Sequence, residues 1–285
     1  MKRKGQLARV IREFKKSVLA VFGIFIILGV IVTAIFAPFL APEDPLEQDY
    51  LKRLEPPSPN NLLGTDRLGR DLLSRLIYGT RYALLVGLGI ISIQAVVGIT
   101  LGLIAGYEGG ILDALIMRLV DIMLSMPIVV IGLAIAGVLG GGLLNVIIAI
   151  GFIGWRGFTR LVRGEVMSVK ENEYIEAARA NGGSDPYIVM RHILPNTAAS
   201  MIVFSTLKIP SAILTAAALS FLGIGAQPPT PEWGLILSTG RDFLSSAWWI
   251  ATFPGLAIML TILGFNFVGD GLRDALDPKL QRPTG

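Results

Sequence analysis

Residues 173–196 read EYIEAARANGGSDPYIVMRHILPN, and their polarity stands out because long apolar runs flank them on both sides. Asn172 is a candidate helix N-cap, and Glu173 and Glu176 put negative charge in a first turn, where the helix dipole favours it. Tyr174, Ile175 and Ala178 make an apolar stripe at helical spacing. Gly182 or Gly183 can take the left-handed conformation that stops a helix. Ser184 or Asp185 then caps a second helix with Pro186 in its first turn, and Pro195 closes it. Two caps, two stop signals and an apolar stripe describe a structured pair of short helices held out from a membrane.

The flanks decide the rest. About 20 mostly apolar residues are needed to cross the hydrocarbon of a bilayer. Segments 17–42, 82–107 and 122–155 hold no charged residue, and the last is too long for one ordinary span. Gly140-Gly-Gly142 followed by Asn145 is the expected break. Segments 198–224, interrupted by Lys208 and Pro210, and 248–268 complete six spans. Basic residues before the first run raise the possibility of a secretory signal, but residues 18–40 far exceed the usual apolar length of about 7–15. The expectation is an uncleaved span. The chain divides accordingly into a basic N-terminus (1–16), a first span (17–41), an external segment (42–80), a five-helix core (81–270) containing the 163–197 loop, and a C-terminal tail (271–285).

Lys and Arg placement orients this bundle. Lys2, Arg3, Lys4, Arg9, Arg12, Lys15 and Lys16 precede the first span, and Arg156, Arg160, Arg163, Lys170, Arg179 and Arg191 surround the polar loop. Both groups fall on one side when six spans are counted. The opposite side has fewer basic residues, and those in 43–81 are accompanied by acids. The expectation is that both termini and the polar loop are cytoplasmic.

Of the 285 residues, 53% are hydrophobic and 16% charged, against about 25% charged in soluble domains. An all-α polytopic membrane protein follows. Cysteine is absent and His192 is the single histidine, which removes disulfides, thiolate chemistry and most imidazole metal sites. The net charge of +4 reflects basic residues beside spans, and no basic stripe with interleaved aromatics points to nucleic acid. No Gly-Lys-Ser/Thr occurs, so the chain lacks the loop that cradles ATP phosphates and is not expected to be an enzyme by itself.

Within the spans, Gly98, Gly102 and Gly106 are spaced by four, which suits close helix packing. Leu68, Leu72, Leu73, Leu76 and Ile77 recur opposite Arg67, Arg70, Asp71 and Ser74. That pattern predicts an amphipathic helix on the outer membrane face, with Arg67–Asp71 and Asp71–Arg75 as surface pairs. Arg118 and Asp121, three apart, are expected to neutralise one another. Gln94, Asn145, Lys208 and Asn266 are the large polar groups of the apolar interiors, and Lys208 is the one charge well inside a span. Intramembrane charges are expensive, so Lys208 and Asn266 are candidates to line a translocation pathway. An ion-coupled secondary transporter would want paired intramembrane carboxylates, which the spans lack. A subunit that merely scaffolds a complex is a third reading.

Glu176-Ala-Ala178, then Gly182, then Ile193-Leu-Pro195 resembles the EAA loop of binding-protein-dependent ABC importer permeases. Leu63-Gly-Thr-Asp-Arg-Leu-Gly-Arg-Asp71, Leu219-Ser-Phe-Leu-Gly223, Gln227-Pro-Pro-Thr-Pro-Glu-Trp-Gly234 and Gly269-Asp-Gly-Leu-Arg-Asp-Ala-Leu-Asp-Pro278 are similar to the C-type permease of the dipeptide/oligopeptide/nickel subfamily. The resemblance implies a type I ABC importer permease fold with six transmembrane helices and a cytoplasmic coupling helix. It implies that Tyr174, Glu176, Ala177, Ala178, Gly182, Asp185 and Pro186 meet an ATPase subunit. It also implies a second, B-type permease subunit, two ABC ATPases that bind ATP and Mg, and an external solute-binding protein. No cofactor is implied for this chain. The resemblance also implies a peptide cargo, with nickel or small oligosaccharides as alternatives, and a location in the cytoplasmic membrane of a bacterium or archaeon. One departure concerns Ala216-Ala-Ala218, a stretch in which members often carry a Glu.

Overall fold

The computed structural model describes residues 10–276. Lys2, Arg3, Lys4, Arg9, Asp277 and Pro278, which entered the orientation and family readings, lie outside the described residues. The described chain is helical, with a single isolated bridge between Thr65 and Asp71. In order, the helices are α1 (Val18–Leu40), α2 (Leu72–Glu108), α3 (Gly110–Leu124), α4 (Ile128–Leu139), α5 (Leu143–Lys170), α6 (Glu173–Ala180), α7 (Asp185–Ile188), α8 (Leu194–Phe221), α9 (Trp233–Gly240) and α10 (Trp249–Leu276). Five helical runs are long and apolar enough to cross a bilayer: α1, α2, α5, the run 185–221 and α10. Helices α3 and α4 qualify only as a pair and are bent by 91° between them.

That bend adds a break before the one expected at 140–142. Pro127 has an extended backbone and stands just before α4. It lacks an N–H, and its ring disfavours helical geometry at the preceding residue. The expected break at 140–142 is present, with Gly140 and Gly142 at φ 86° and 153°.

Helices α2 and α5 form the tightest crossing, and the three spaced glycines explain it. A Cβ at Gly98 would stand 2.6 Å from the Trp155 carbonyl oxygen, one at Gly102 2.6 Å from Val162 Cβ, and one at Gly106 2.8 Å from Val166 Cβ. With hydrogen there, the backbones close and dispersion replaces the hydrophobic drive that lipid cannot supply. Thr159 Oγ1 donates across this seam to the Gly98 carbonyl at 3.2 Å. The acids on α3 pair across helices as well: Asp121 meets Arg160, and Asp113 holds Arg163 with its second contact at 2.6 Å. The expected Arg118–Asp121 neutralisation is thus replaced by longer-range partners.

The segment before α2 departs most from expectation. No separate amphipathic helix lies there. Residues 63–71 form tight turns with Gly64 and Gly69 at φ 77° and 73°, and α2 begins at Leu72, which is fully buried. Asp66 accepts from Leu68 N at 2.8 Å and from Arg70 Nε at 2.7 Å. Asp71 caps α2 through Ser74 N at 2.7 Å and takes Asn61 Nδ2 at 3.0 Å. Trp249 Nε1 donates to the Thr65 carbonyl at 3.1 Å, and Trp233 Nε1 to that of Leu76 at 3.0 Å. Of the charges expected in surface pairs, Asp71 and Arg75 are drawn inward because the turns offer them backbone and side-chain partners, whereas Arg67 stays exposed, and the segment becomes a largely buried plug packed against α9 and the start of α10.

Candidate functional site

The polar loop forms a compact knob at the far end of α2 from the plug. Ile175 on α6, Ile188 on α7 and Ile193 are buried together with Val162, Val166, Tyr107 and Met201. Of the expected stripe, Ile175 is fully buried and Ala178 partly so, while Tyr174 is 44% exposed. Asn172 occupies the N-cap position of α6, yet its side chain points back and donates to the Val169 carbonyl at 2.9 Å. It therefore tethers the knob to the end of α5 and does not cap α6. Gly182 stops α6 in the left-handed region at φ 80°, with nothing within 4 Å of where a Cβ would stand. Gly183 N closes the turn onto the Ala178 carbonyl at 3.0 Å.

Ser184 precedes α7, and Asp185 and Pro186 fill its first turn as expected. Pro195 does not close this helix. Residues 189–193 form a π turn, in which Leu194 N reaches the Val189 carbonyl, and the chain runs on into α8. The wider turn accommodates a proline that cannot donate to its own i−4 carbonyl.

The seven residues assigned to a partner contact, Tyr174, Glu176, Ala177, Ala178, Gly182, Asp185 and Pro186, all lie on this knob. Tyr174, Ala177, Ala178 and Gly182, with Tyr187 and His192, line an open concavity of about 730 Å³. His192 stacks edge-on against Tyr187 at 5.6 Å between ring centres. Glu176 faces a neighbouring hollow with Lys170 and Arg179, and Asp185 turns toward the membrane bundle.

A residue that the sequence did not single out makes that last contact. Tyr107, in the final turn of α2, hydrogen-bonds through its hydroxyl to the Asp185 carboxylate. Arg179 Nη2 donates to the same hydroxyl at 3.4 Å. Lys170 hydrogen-bonds to the Tyr107 carbonyl and lies 5.2 Å over its ring. Four elements thus converge on one side chain. The signal available in the sequence was slight: an aromatic residue at the polar end of a span.

Lys208 and Asn266 are not brought together. Lys208 lines a cavity between α2, α4, α5 and α8, whereas Asn266 is half-buried on α10 and does not line it.

Comparison with known proteins places this arrangement. Residues 98–282 match the family described as "Binding-protein-dependent transport system inner membrane component". The chain belongs to that family. Residues 5–57 of this inner membrane component also match the N-terminal TM domain of oligopeptide transport permease C. The "Dipeptide transport system permease protein DppC" of Alkalihalophilus pseudofirmus is 48% identical over 270 residues, covering 95% of this chain and 89% of the relative. The "Di/tripeptide transport system permease protein DppC" of Pseudomonas aeruginosa is also 48% identical, over 92% and 88% of the two chains. The "Glutathione transport system permease protein GsiD" of Pectobacterium atrosepticum is 44% identical, over 95% and 90%. The helical architecture, with its five spans and bent pair, is that of a type I ABC importer permease.

Proposed function

We propose that this chain is one of two membrane subunits of an ATP-driven importer of short peptides. Its bundle forms half of the translocation pathway, and peptide arrives from an external solute-binding protein. ATP and Mg are bound by two partner ATPases, a B-type permease supplies the other half, and this chain catalyses nothing itself. Both termini and the knob face the cytoplasm of a bacterial or archaeal cell. Tyr174, Glu176, Ala177, Ala178, Gly182, Asp185 and Pro186 form the surface grasped by an ATPase.

One observation carries the reading: the knob is a packed body joined to the spans by bonds. It is continuous with α8 through the π turn, tethered to α5 by Asn172, and held to α2 by Asp185 and Arg179 on Tyr107. A body so attached moves the bundle when a motor moves it, and the two arrangements of the bundle are selected by their different affinities for that motor. The peptide cargo is supported by the names of the relatives.

The test is reconstitution with the partner subunits, comparing wild type with Gly182→Asp. Open space surrounds position 182, and Asp tolerates the left-handed region better than most residues. The variant folds and assembles, but carries a charged side chain where the contact requires none. ATP-driven uptake of a dipeptide should be lost. Unchanged uptake would remove the coupling assignment.

A further inference from the structure

The cavity beside Lys208 has a volume of about 280 Å³ and is lined by Gln94 of α2, Ile128 of α4, Arg156 of α5, and Lys208, Ser211 and Thr215 of α8, among others. It lies between the central parts of α2, α5 and α8, and isolated charges within membrane spans are costly. Two cations face it and no acidic side chain lines it.

Neither cation is neutralised within the described residues. Arg156 is 8% exposed, and its Nη1 is buried without a hydrogen-bond partner. Lys208 is exposed at the cavity mouth, with its Nζ 5.2 Å over the Phe204 ring and no ion-pair partner. A ring face offsets only part of the cost of an ammonium group. Gln94 adds a fixed amide. Its Nε2 donates to the Ile150 carbonyl at 3.2 Å, and it fits because residue 154 is Gly, since a Cβ there would overlap the amide. Ser211 and Thr215 satisfy their hydroxyl protons on the backbone of α8, at 2.9 and 2.7 Å. The unmet demand in this cavity is therefore negative charge.

We infer that the cavity is a carboxylate site on the translocation path, in which Arg156 and Lys208 receive the C-terminal carboxylate of the peptide cargo. This rests on the importer reading above. A guanidinium and an ammonium group converging on one carboxylate form charge-assisted hydrogen bonds, roughly twice as strong as neutral ones. The same chemistry has a second source, an acidic side chain of the second permease subunit, and the experiment separates the two.

In the reconstituted importer, uptake of a dipeptide is compared with that of its C-terminal amide, in wild type, Lys208→Gln and Lys208→Arg. The solute-binding protein is the same in all three, so its own preference cancels when the ratios are compared. The acid-to-amide ratio should fall about tenfold in Lys208→Gln and recover in Lys208→Arg. An equal fall for both substrates would overturn the substrate site and indicate a carboxylate from the partner subunit. A second measurement needs no transport, because the chain has no cysteine of its own. The thiol introduced by Ser211→Cys should react with an anionic methanethiosulfonate several-fold faster than with a cationic one. That preference should shrink when Arg156→Gln or Lys208→Gln is added, and a preference indifferent to both would overturn the proposal. Wild-type complex that imports no dipeptide would refute the importer reading and leave the thiol result to judge the anion site.

Discussion

The Tyr107 hydroxyl donates to the Asp185 carboxylate across 78 positions of sequence, joining the last turn of α2 to the first turn of α7. It ties the knob to a membrane span that, unlike α5 and α8, is not its neighbour along the chain.

Tyr107→Phe removes this link and keeps the ring beneath Lys170. A net loss of about 1–2 kcal/mol of knob attachment is expected, too little to unfold the chain. In proteoliposomes, the peptide moved per ATP hydrolysed should drop several-fold while hydrolysis continues. Asp185→Asn, which keeps an acceptor, should lie between wild type and Tyr107→Phe. Equal coupling ratios in all three would dismiss the link.

The seam between α2 and α5 is sensitive to a single carbon atom. Gly102→Ala places a methyl group 2.6 Å from Val162 Cβ, and overpacking of this kind costs about 1–3 kcal/mol. A lower Tm is expected for the purified chain in detergent. Gly164→Ala on the same α5 has open space at its Cβ and should hold its Tm or raise it slightly, since Ala favours a helix over Gly by up to about 1 kcal/mol.

Asp66 is shared by two buried guanidiniums, Arg70 at 2.7 Å and Arg75 at 3.6 Å. Asp66→Asn strands both, and breaking a buried ion pair costs about 3–5 kcal/mol. Arg67, exposed on the same turn, should lose under about 0.5 kcal/mol as Arg67→Ala. Limited proteolysis at residues 42–71 distinguishes the two: rapid cleavage in the first variant, wild-type rates in the second. A surface helix would give the two variants similar rates.

Glu232 caps α9 by accepting from Gly234 N at 2.9 Å and Leu235 N at 2.8 Å. Burial pushes its carboxyl above the ordinary value of 4.5, against the backbone N–H groups and the Ser220 hydroxyl that hold it down. A raised carboxyl means that the folded state binds the extra proton. Its contribution to stability is full below about pH 4.5 and is lost as pH rises through the folded value. Thermal unfolding of Glu232→Gln across this window should show a flatter pH dependence than wild type. Parallel curves would mean that the carboxyl titrates over the same pH range in the folded and unfolded states.

Much of this architecture was written locally. Long uncharged runs mark the spans, Gly140 and Gly142 mark a break, Gly98, Gly102 and Gly106 mark a close crossing, and Gly182 ends α6 where its neighbours require. What local reading missed depends on distant partners. The 63–77 stretch has helical periodicity, but Trp249 reaches Thr65 from 184 positions away and Asn61 competes for Asp71, so tertiary bonds override the pattern. Arg118 lost Asp121 to Arg160 for the same reason. The kink at Pro127 was legible and went unread because hydropathy alone measured that run. Pro195 shows the reverse error: a proline stops an α-helix only when no wider turn absorbs it. At the candidate site, the short helices and the glycine turn of the knob were legible, whereas the surroundings of Tyr107 and Arg156 were not, since they lie in what each faces across the bundle.

Helix α2 runs 37 residues without interruption, roughly 55 Å at 1.5 Å per residue. Its first turn is clamped in the plug by Asp71, Ser74 and Trp233, and its last is clamped in the knob through Tyr107. A rod pinned at both extremities has no slack, so displacement imposed on one membrane face arrives at the other with little delay or loss. On the proposed importer reading, a docked cargo carrier and a nucleotide-loaded motor, sitting on opposite sides of the lipid, would sense each other through this strut.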